Sequence, residues 1–277
     1  MQQLQKQLEE IKANHYAIDS TINIDDLSSK MLQHIGAPDG YLRDKLIYTT
    51  FFHLITNAHI TNTQLQQLLS KSINKQYLFY KIHTEDNDAV FTRAFTTLLI
   101  ALILSADIKH NFLSQSEILE IKDKLVLYMN QEHDFRGYVN DRGWAHSIAH
   151  VSDTFDELVK NPKLEVSYYP EILQVLLEKV SVHTISYKYE EDERIVYPIV
   201  AMLQNGLDEK ELITSLHFLV EQMQIQKAEL SIIPYETLYG NVKSFLRSLF
   251  FRLRSLSICE ETEKEIEILL KGLSKYY

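Results

Sequence analysis

Glycine and proline are scarce, seven and five residues in 277, and there is one cysteine, Cys259. All-β folds and long linkers spend glycine and proline on turns, so their scarcity points to helices. A single cysteine excludes an internal disulfide and any cysteine-rich zinc site, and it suits a reducing compartment. Long hydrophobic runs are missing as well. The longest, LLIALIL at 98–104, falls well short of the roughly 20 residues that span a bilayer. The opening MQQLQKQLEEIKANHY is polar and lacks the apolar centre of a signal peptide. Positive charge is also in short supply: 28 basic residues face 38 acidic ones, for a net charge of −10. A nucleic-acid binder needs a basic face. The nearest approach to one is LRSLFFRLRS at 246–255, but Arg247, Arg252 and Arg254 do not share a helical stripe. No phosphate-cradling glycine loop, G-x-S-x-G, EF-hand loop or H-E-x-x-H occurs. The expectation is a cytoplasmic protein that binds neither nucleic acid nor membrane and whose partner is a protein, a peptide or a small molecule.

What is present is enough apolar material, 45% of residues, for a substantial core. No linker-like stretch interrupts it, so one all-α domain over 1–277 is the simplest reading. Five segments share a plan of polar opening, arginine, then apolar helical run. They are 39–55, 86–104, 141–158, 190–203 and 240–256, with arginines at 43, 93, 142, 194 and 247, spaced by 50, 49, 52 and 53 residues. Each is preceded by another helical pattern, at 24–36, 62–82, 114–130, 168–183 and 208–224, and 262–277 supplies a final capping helix. Residues 1–14 form one more helix. Asp25, Ser114 and Asp208 supply N-caps or acidic first turns. Such helical hairpins bury their apolar faces only by stacking on neighbours. The pattern predicts an α-solenoid of about five hairpins, near 20–58, 62–106, 114–160, 168–206 and 208–258. The Asp-then-Arg opening resembles HEAT repeats, which implies a right-handed superhelix. It also implies linking pairs Asp39 with Arg43, Asp88 with Arg93, and Asp192 with Arg194.

The third segment, DRGWAHSIAHVSD at 141–153, departs from the others. Four residues after the arginine stand Ile47, Thr97, His146, Pro198 and Phe251, and eight after stand Phe51, Ala101, His150, Met202 and Ser255. Read as a helix from its start, this segment places Arg142, His146, His150 and Asp153 within about 80° of one another. Two histidines four apart can reach one metal ion, with Asp153 as a third ligand or as the orienter of an imidazole. They can equally close a buried polar network or line a metal-free ligand site. The residue after His146 is Ser147, not the glutamate of a zinc protease. Gly143 lets another backbone approach closely, and Trp144 falls on the side that packs into the core.

Three further features border this stripe. The connector 130–143 is long and polar and carries His133, Asp134, Arg136 and Asp141. The acidic opening of the fourth helix, Glu190 to Glu193, matches the helix dipole, and it can also offer Glu193 to the histidine stripe. Pro198 should kink that helix or mark where it restarts. Cys259 lies beside Glu260 and Glu261, which would blunt its thiolate.

At these residues the chain resembles a known family. HIGAPDGYLRD, DNDAVFTRAF, RGYVNDRGWAHSIAHVSDTFDEL and EDERIVYPI occur in order and together resemble domain of unknown function 2785, found in Gram-positive bacteria. The likeness spans roughly residues 20–230. It includes the family signature R-G-W-A-H-x-x-A-H-x-x-D at Arg142, Gly143, Trp144, Ala145, His146, Ala149, His150 and Asp153. One departure is Ser152, where the family often has alanine. The resemblance implies no mechanism.

Two functional expectations follow. The first is a non-enzymatic solenoid binding a ligand in a concave groove centred on RGWAHSIAHVSD, through Arg142, His146, His150, Asp153, Asp134 and Glu193. The second is a metal-assisted hydrolase with His146, His150 and Asp153 on a divalent metal. In it, Glu193 or Asp134 is the base and Arg142 an anion clamp.

Overall fold

The structure, a computed structural model, describes residues 1–274; of the expected helix at 262–277, residues 275–277 lie outside the described residues. The fold is all-α, with twelve α-helices and one two-stranded hairpin among the described residues. Two compact units divide the chain, Met1–Lys163 and a second beginning at Leu164.

The first unit opens with α1 (Gln2–Ala13) and α2 (Ile24–Gln33). A π-helical stretch, Tyr41–Tyr48, then runs directly into α3 (Thr49–Thr56). Next come α4 (Asn62–Ser72), α5 (Ala89–His110) and α6 (Gln115–Gln131). The hairpin of β1 (Tyr138–Val139) and β2 (Gly143–Trp144) leads into α7 (Ser147–Val159). The second unit has a 3-10 turn at Val166–Tyr168, then α8 (Tyr169–Val180) and α9 (Glu191–Gln204). It ends with α10 (Glu209–Gln226), α11 (Ile232–Leu256) and α12 (Glu260–Leu273).

Local signals set most boundaries. Thr61 and Ser114 each close a capping box, with Gln64 and Glu117 three residues on. Asp208 caps α10. Asp25 lies in the acidic first turn of α2, whose cap is Asn23, accepting from the Asp26 N–H; the Asp25 carboxylate also accepts from Gln64 Nε2 at 2.6 Å. The helical pattern at 62–82 stops early, because α4 ends at Ser72 and turns follow. Asn74 explains the stop: its side chain accepts from the Gln76 N–H at 2.8 Å, a local bond that competes with the helix ladder. α9 runs through Pro198 without interruption.

Within each unit, sequence neighbours pack on one another. α5 lies against α3, α4 and, most extensively, α7, while α6 also packs on α7. In the second unit α8 packs on α9, α9 on α11, and α10, α11 and α12 on each other. By length and composition alone α5 is long and apolar enough to cross a membrane, but 83% of its apolar window is buried inside the protein. Such all-round burial is what a central core helix shows.

The expected Asp–Arg ladder is not what holds the first unit. Asp39 caps the backbone N–H groups of Tyr41 and Leu42, and Arg43 pairs with its own neighbour, Asp44, at 2.9 Å. Arg93 makes a bidentate bond to Glu132, at 2.7 and 2.8 Å, and Asp88 pairs with Arg142. Asp192 accepts from the Ser248 hydroxyl. The buried Arg43 and Arg93 guanidinium groups also reach acceptors on other elements, the Arg142 and Trp144 carbonyls and the Glu132 carboxylate.

Candidate functional site

The segment 141–153 is not one helix. Residues 138–144 form the hairpin, pairing Tyr138 with Trp144 and Val139 with Gly143. The hairpin continues through backbone bonds from Ala145 to Gly137 and from His146 to Arg136. Asp141 and Gly143 adopt positive φ in and after the turn, at 61° and 83°. α7 begins only at Ser147, and His146 is its N-cap in left-handed conformation, φ 48°. Arg142 therefore leaves the stripe. It sits in the turn, half-exposed, 3.6 Å from Asp88. The helical alignment failed here because a glycine-containing turn with two positive-φ residues cannot continue a helix.

Trp144 is not in the core. It is 37% exposed. Its ring stacks on His146 (centroids 4.4 Å, interplanar 22°) and meets the exposed Tyr138 edge-on at 5.0 Å. The opposite face of the hairpin is the buried one, where Val139 and Ala145 pack on Val90 and Phe91 at the start of α5. Period-two alternation across the short strands thus puts both large aromatics on the solvent side.

The histidine pair survives the change of geometry. His146 and His150 rings lie 5.7 Å apart and nearly perpendicular, and His150 meets Phe95 edge-on at 5.1 Å. Below them the Thr154 hydroxyl donates to Thr97 O on α5 and to His150 O. The result is a graded stack from exposed Trp144 through half-buried His146 to buried His150 and Phe95. Asp153 is half-buried one turn further along α7.

A fully buried arginine holds this stack from beneath. Arg43 lies with its guanidinium carbon over Phe91 and Phe95, at 4.2 and 4.9 Å from the ring centroids. It donates to Ala37 O at 2.6 Å and to two hairpin carbonyls, Arg142 O at 2.7 Å and Trp144 O at 3.3 Å. Its Nε pairs with Asp44, whose carboxylate also accepts from the Trp144 N–H. Burial lowers the Arg43 pKa and raises that of Asp44, each opposed by the charge of the other. The approach is close. A Cβ on Gly143 would stand 3.1 Å from the Arg43 guanidinium, and one on Gly40 would stand 2.9 Å from Arg142 O. Both glycines are needed for the loop and hairpin to meet.

The other expected site residues lie as follows. Asp134 is committed to Arg136, whose guanidinium also reaches Asn87 O. Glu193 is exposed in the first turn of α9, in the second unit. Among the described residues no group of three or more His, Cys, Asp or Glu side chains is placed to hold a metal ion. Cys259 is the N-cap of α12, and its thiol is pushed up by burial and then by Glu209 and Glu263 rather than by its sequence neighbours.

Composition and spacing gave no sign of Asp44, Phe95 and Glu132. Glu132 is buried and accepts from Arg93, from Tyr128 Oη at 2.9 Å and from the N–H groups of His133 and Asp134. Burial of Arg93 opposes its charge, but the Glu132 carboxylate more than offsets this and its pKa rises. Burial, reinforced by Glu132, pushes the Tyr128 hydroxyl well above its ordinary value. The one available signal was a carboxylate at the start of a long polar connector.

No curated protein and no solved structure matches the chain. A family model, described as protein of unknown function (DUF2785), matches residues 78–251. The match takes in three of the four resembling motifs, from DNDAVFTRAF through the hairpin and histidine pair to EDERIVYPI. The chain belongs to the DUF2785 family.

Proposed function

We propose that this chain is a binding module, and that its binding face in the first unit is the solvent side of the hairpin, centred on Trp144 and Tyr138 with His146 behind. One observation carries the reading: a large aromatic is displayed to solvent on a support that a buried arginine and a carboxylate hold rigid. Exposed, preorganised aromatics are where binding energy concentrates, since little side-chain entropy remains to be lost. The left-handed backbone at His146 adds to this, because strained conformations gather at functional positions. The ligand class is a protein, a peptide or a small molecule presenting a planar or cationic group to the indole.

The same reading takes the successive helix pairs as HEAT-like repeats of a right-handed α-solenoid with its groove at this face, and places the protein in the cytoplasm. Its support is that, within each unit, helices adjacent in sequence pack together. Metal-assisted hydrolysis draws no comparable support: Arg142 has left the helix and Asp134 is committed to Arg136.

Trp144 is the only tryptophan, so its fluorescence reports on this face alone. A panel of short arginine- and lysine-containing peptides, aromatic amines and quaternary ammonium compounds is titrated against the intact chain. A saturable emission change, weakened about tenfold by Tyr138→Ala, is the expected result. No saturable change across the panel, or one that Tyr138→Ala leaves untouched, would sink the proposal.

A further inference from the structure

A second concavity lies away from the hairpin face. The N-terminal ends of α4 and α6 are tied by Gln66, whose amide donates to Phe112 O at 3.1 Å and to Glu117 Oε1 at 3.4 Å. Beyond this tie, α4, α6 and the turns at 74–83 enclose a groove of about 720 Å³. That volume is within the range of small-molecule sites. Its walls are apolar: Leu69 and Ile73 from α4, Phe79 and Ile82 from the turns, Ile121 and Leu127 from α6. Leu69, Ile73 and Ile121 are buried, whereas Leu127 is 44% exposed, so the groove carries an apolar wall open to solvent. Phe79 is fixed edge-on against the fully buried Tyr128, 6.5 Å between centroids.

The charged groups around the groove differ in what they are already doing. Glu117 is consumed by the α6 capping box, accepting from the Ser114 N–H and hydroxyl. Lys75 and Lys124 both line the groove and stand within ion-pair distance of no carboxylate among the described residues. Glu120 and the exposed His83 complete the titratable lining. Glu120 and Lys124 are four apart on α6, a spacing that often pairs on a helix. Here they do not pair, which leaves both ammonium groups available. Glu117 keeps its charge while it caps, so the lining holds two ammonium groups against two carboxylates; the charged groups left without a bonded partner are the two lysines and Glu120.

We infer that this groove binds a small amphiphilic anion, an acyl or aryl body against the apolar wall with its carboxylate or sulfonate between Lys75 and Lys124. The site is independent of the hairpin face and of the function proposed for it.

The probe is 8-anilinonaphthalene-1-sulfonate, titrated into the intact chain at neutral pH and followed by its emission. Saturable binding is expected, displaced by dodecanoate and not by the cationic dodecyltrimethylammonium. The double variant Lys75→Glu/Lys124→Glu changes two side chains at the groove rim. It should weaken the saturable phase by about tenfold while leaving the thermal midpoint and helical circular dichroism in place. Leu127→Glu, which sets a carboxylate over the apolar wall, should weaken it too, and Glu120→Gln should leave it equal or tighter. An unchanged affinity in the double lysine variant would overturn the inference. So would equal displacement by the cationic amphiphile, or loss of binding in Glu120→Gln.

Discussion

Five arginines occupy matching places in the sequence, three in the first unit and two in the second, and two of the first three, Arg43 and Arg93, are buried clamps. Arg43 and Arg93 are buried and hold chain segments far from them in sequence: Arg43 the 142–144 hairpin, Arg93 the Tyr80 carbonyl and Glu132. In the second unit Arg194 is half-buried and Arg247 is exposed. Here the clamp is Asn241, on α11. Its amide donates to Val182 O at 2.8 Å and Ile185 O at 2.9 Å and accepts from the Tyr187 N–H. Both units face one problem, a connector whose backbone groups need partners. One solves it with buried guanidinium–carboxylate pairs, the other with the Asn241 amide and the buried Glu191 carboxylate, which accepts from the Lys188 and Tyr189 N–H groups. The paired charges bind more groups, but they put more at risk when one partner is removed.

That contrast can be broken at four points, from the largest effect down. Glu132→Ala removes the acceptor for Arg93, Tyr128 and two backbone N–H groups at once. It should destabilise the chain by about 3–5 kcal/mol in denaturant unfolding, the cost of leaving a buried charge unpaired. A loss below about 1 kcal/mol would mean the pair is no stronger than a surface one. Arg43→Met should cost about 3 kcal/mol, since it leaves three carbonyls and the Asp44 carboxylate without their donor. It should also raise acrylamide quenching of Trp144 as the hairpin loosens; unchanged quenching would contradict the clamp. Asn241→Ala should cost about 2 kcal/mol, less than either charged clamp, for three unsatisfied backbone groups at its connector. If Asn241→Ala proved costlier than Glu132→Ala, the contrast between the two units would be reversed.

The smallest effect is a pH dependence. Asp107 is buried on α5. Burial alone would raise its carboxyl, but the Leu113 N–H, Lys163 and Asn161 hold it below its ordinary value. A depressed folded-state pKa means the folded protein binds this proton less readily than the unfolded chain. The stabilisation is therefore fully present above the unfolded value near pH 4 and is lost as pH falls through the folded one. Asp107→Asn should flatten the acid limb of the stability curve below about pH 4, and an unaltered limb would show that other carboxylates carry it.

Much of the helical content was legible because periodicity and caps are local. The caps at Ser114 and Asp208 needed nothing from elsewhere in the chain. The histidine pair was legible for a similar reason: although His146 is the N-cap and not a helical residue, the His150 N–H still bonds to its carbonyl across the first turn of α7. The site was misread where local and tertiary preferences part. From its pattern DRGWAHSIAHVSD is a helix, and Trp144 belongs in the core. The hairpin forms because Val139 and Ala145 gain a buried surface on Val90 and Phe91, and because Arg43 satisfies the hairpin carbonyls.

By itself the sequence determined an all-α chain, the places of most helices, membership of its family, and a polar patch at His146 and His150. All of these rest on residue spacing and residue type along the chain. Only the tertiary structure decided which arginine meets which acceptor, that Trp144 faces solvent, and that Glu132 and Asp44 are buried partners. Those outcomes turn on long-range contacts, such as Arg43 with Trp144 across 101 residues, whose free energy depends on what else has already packed.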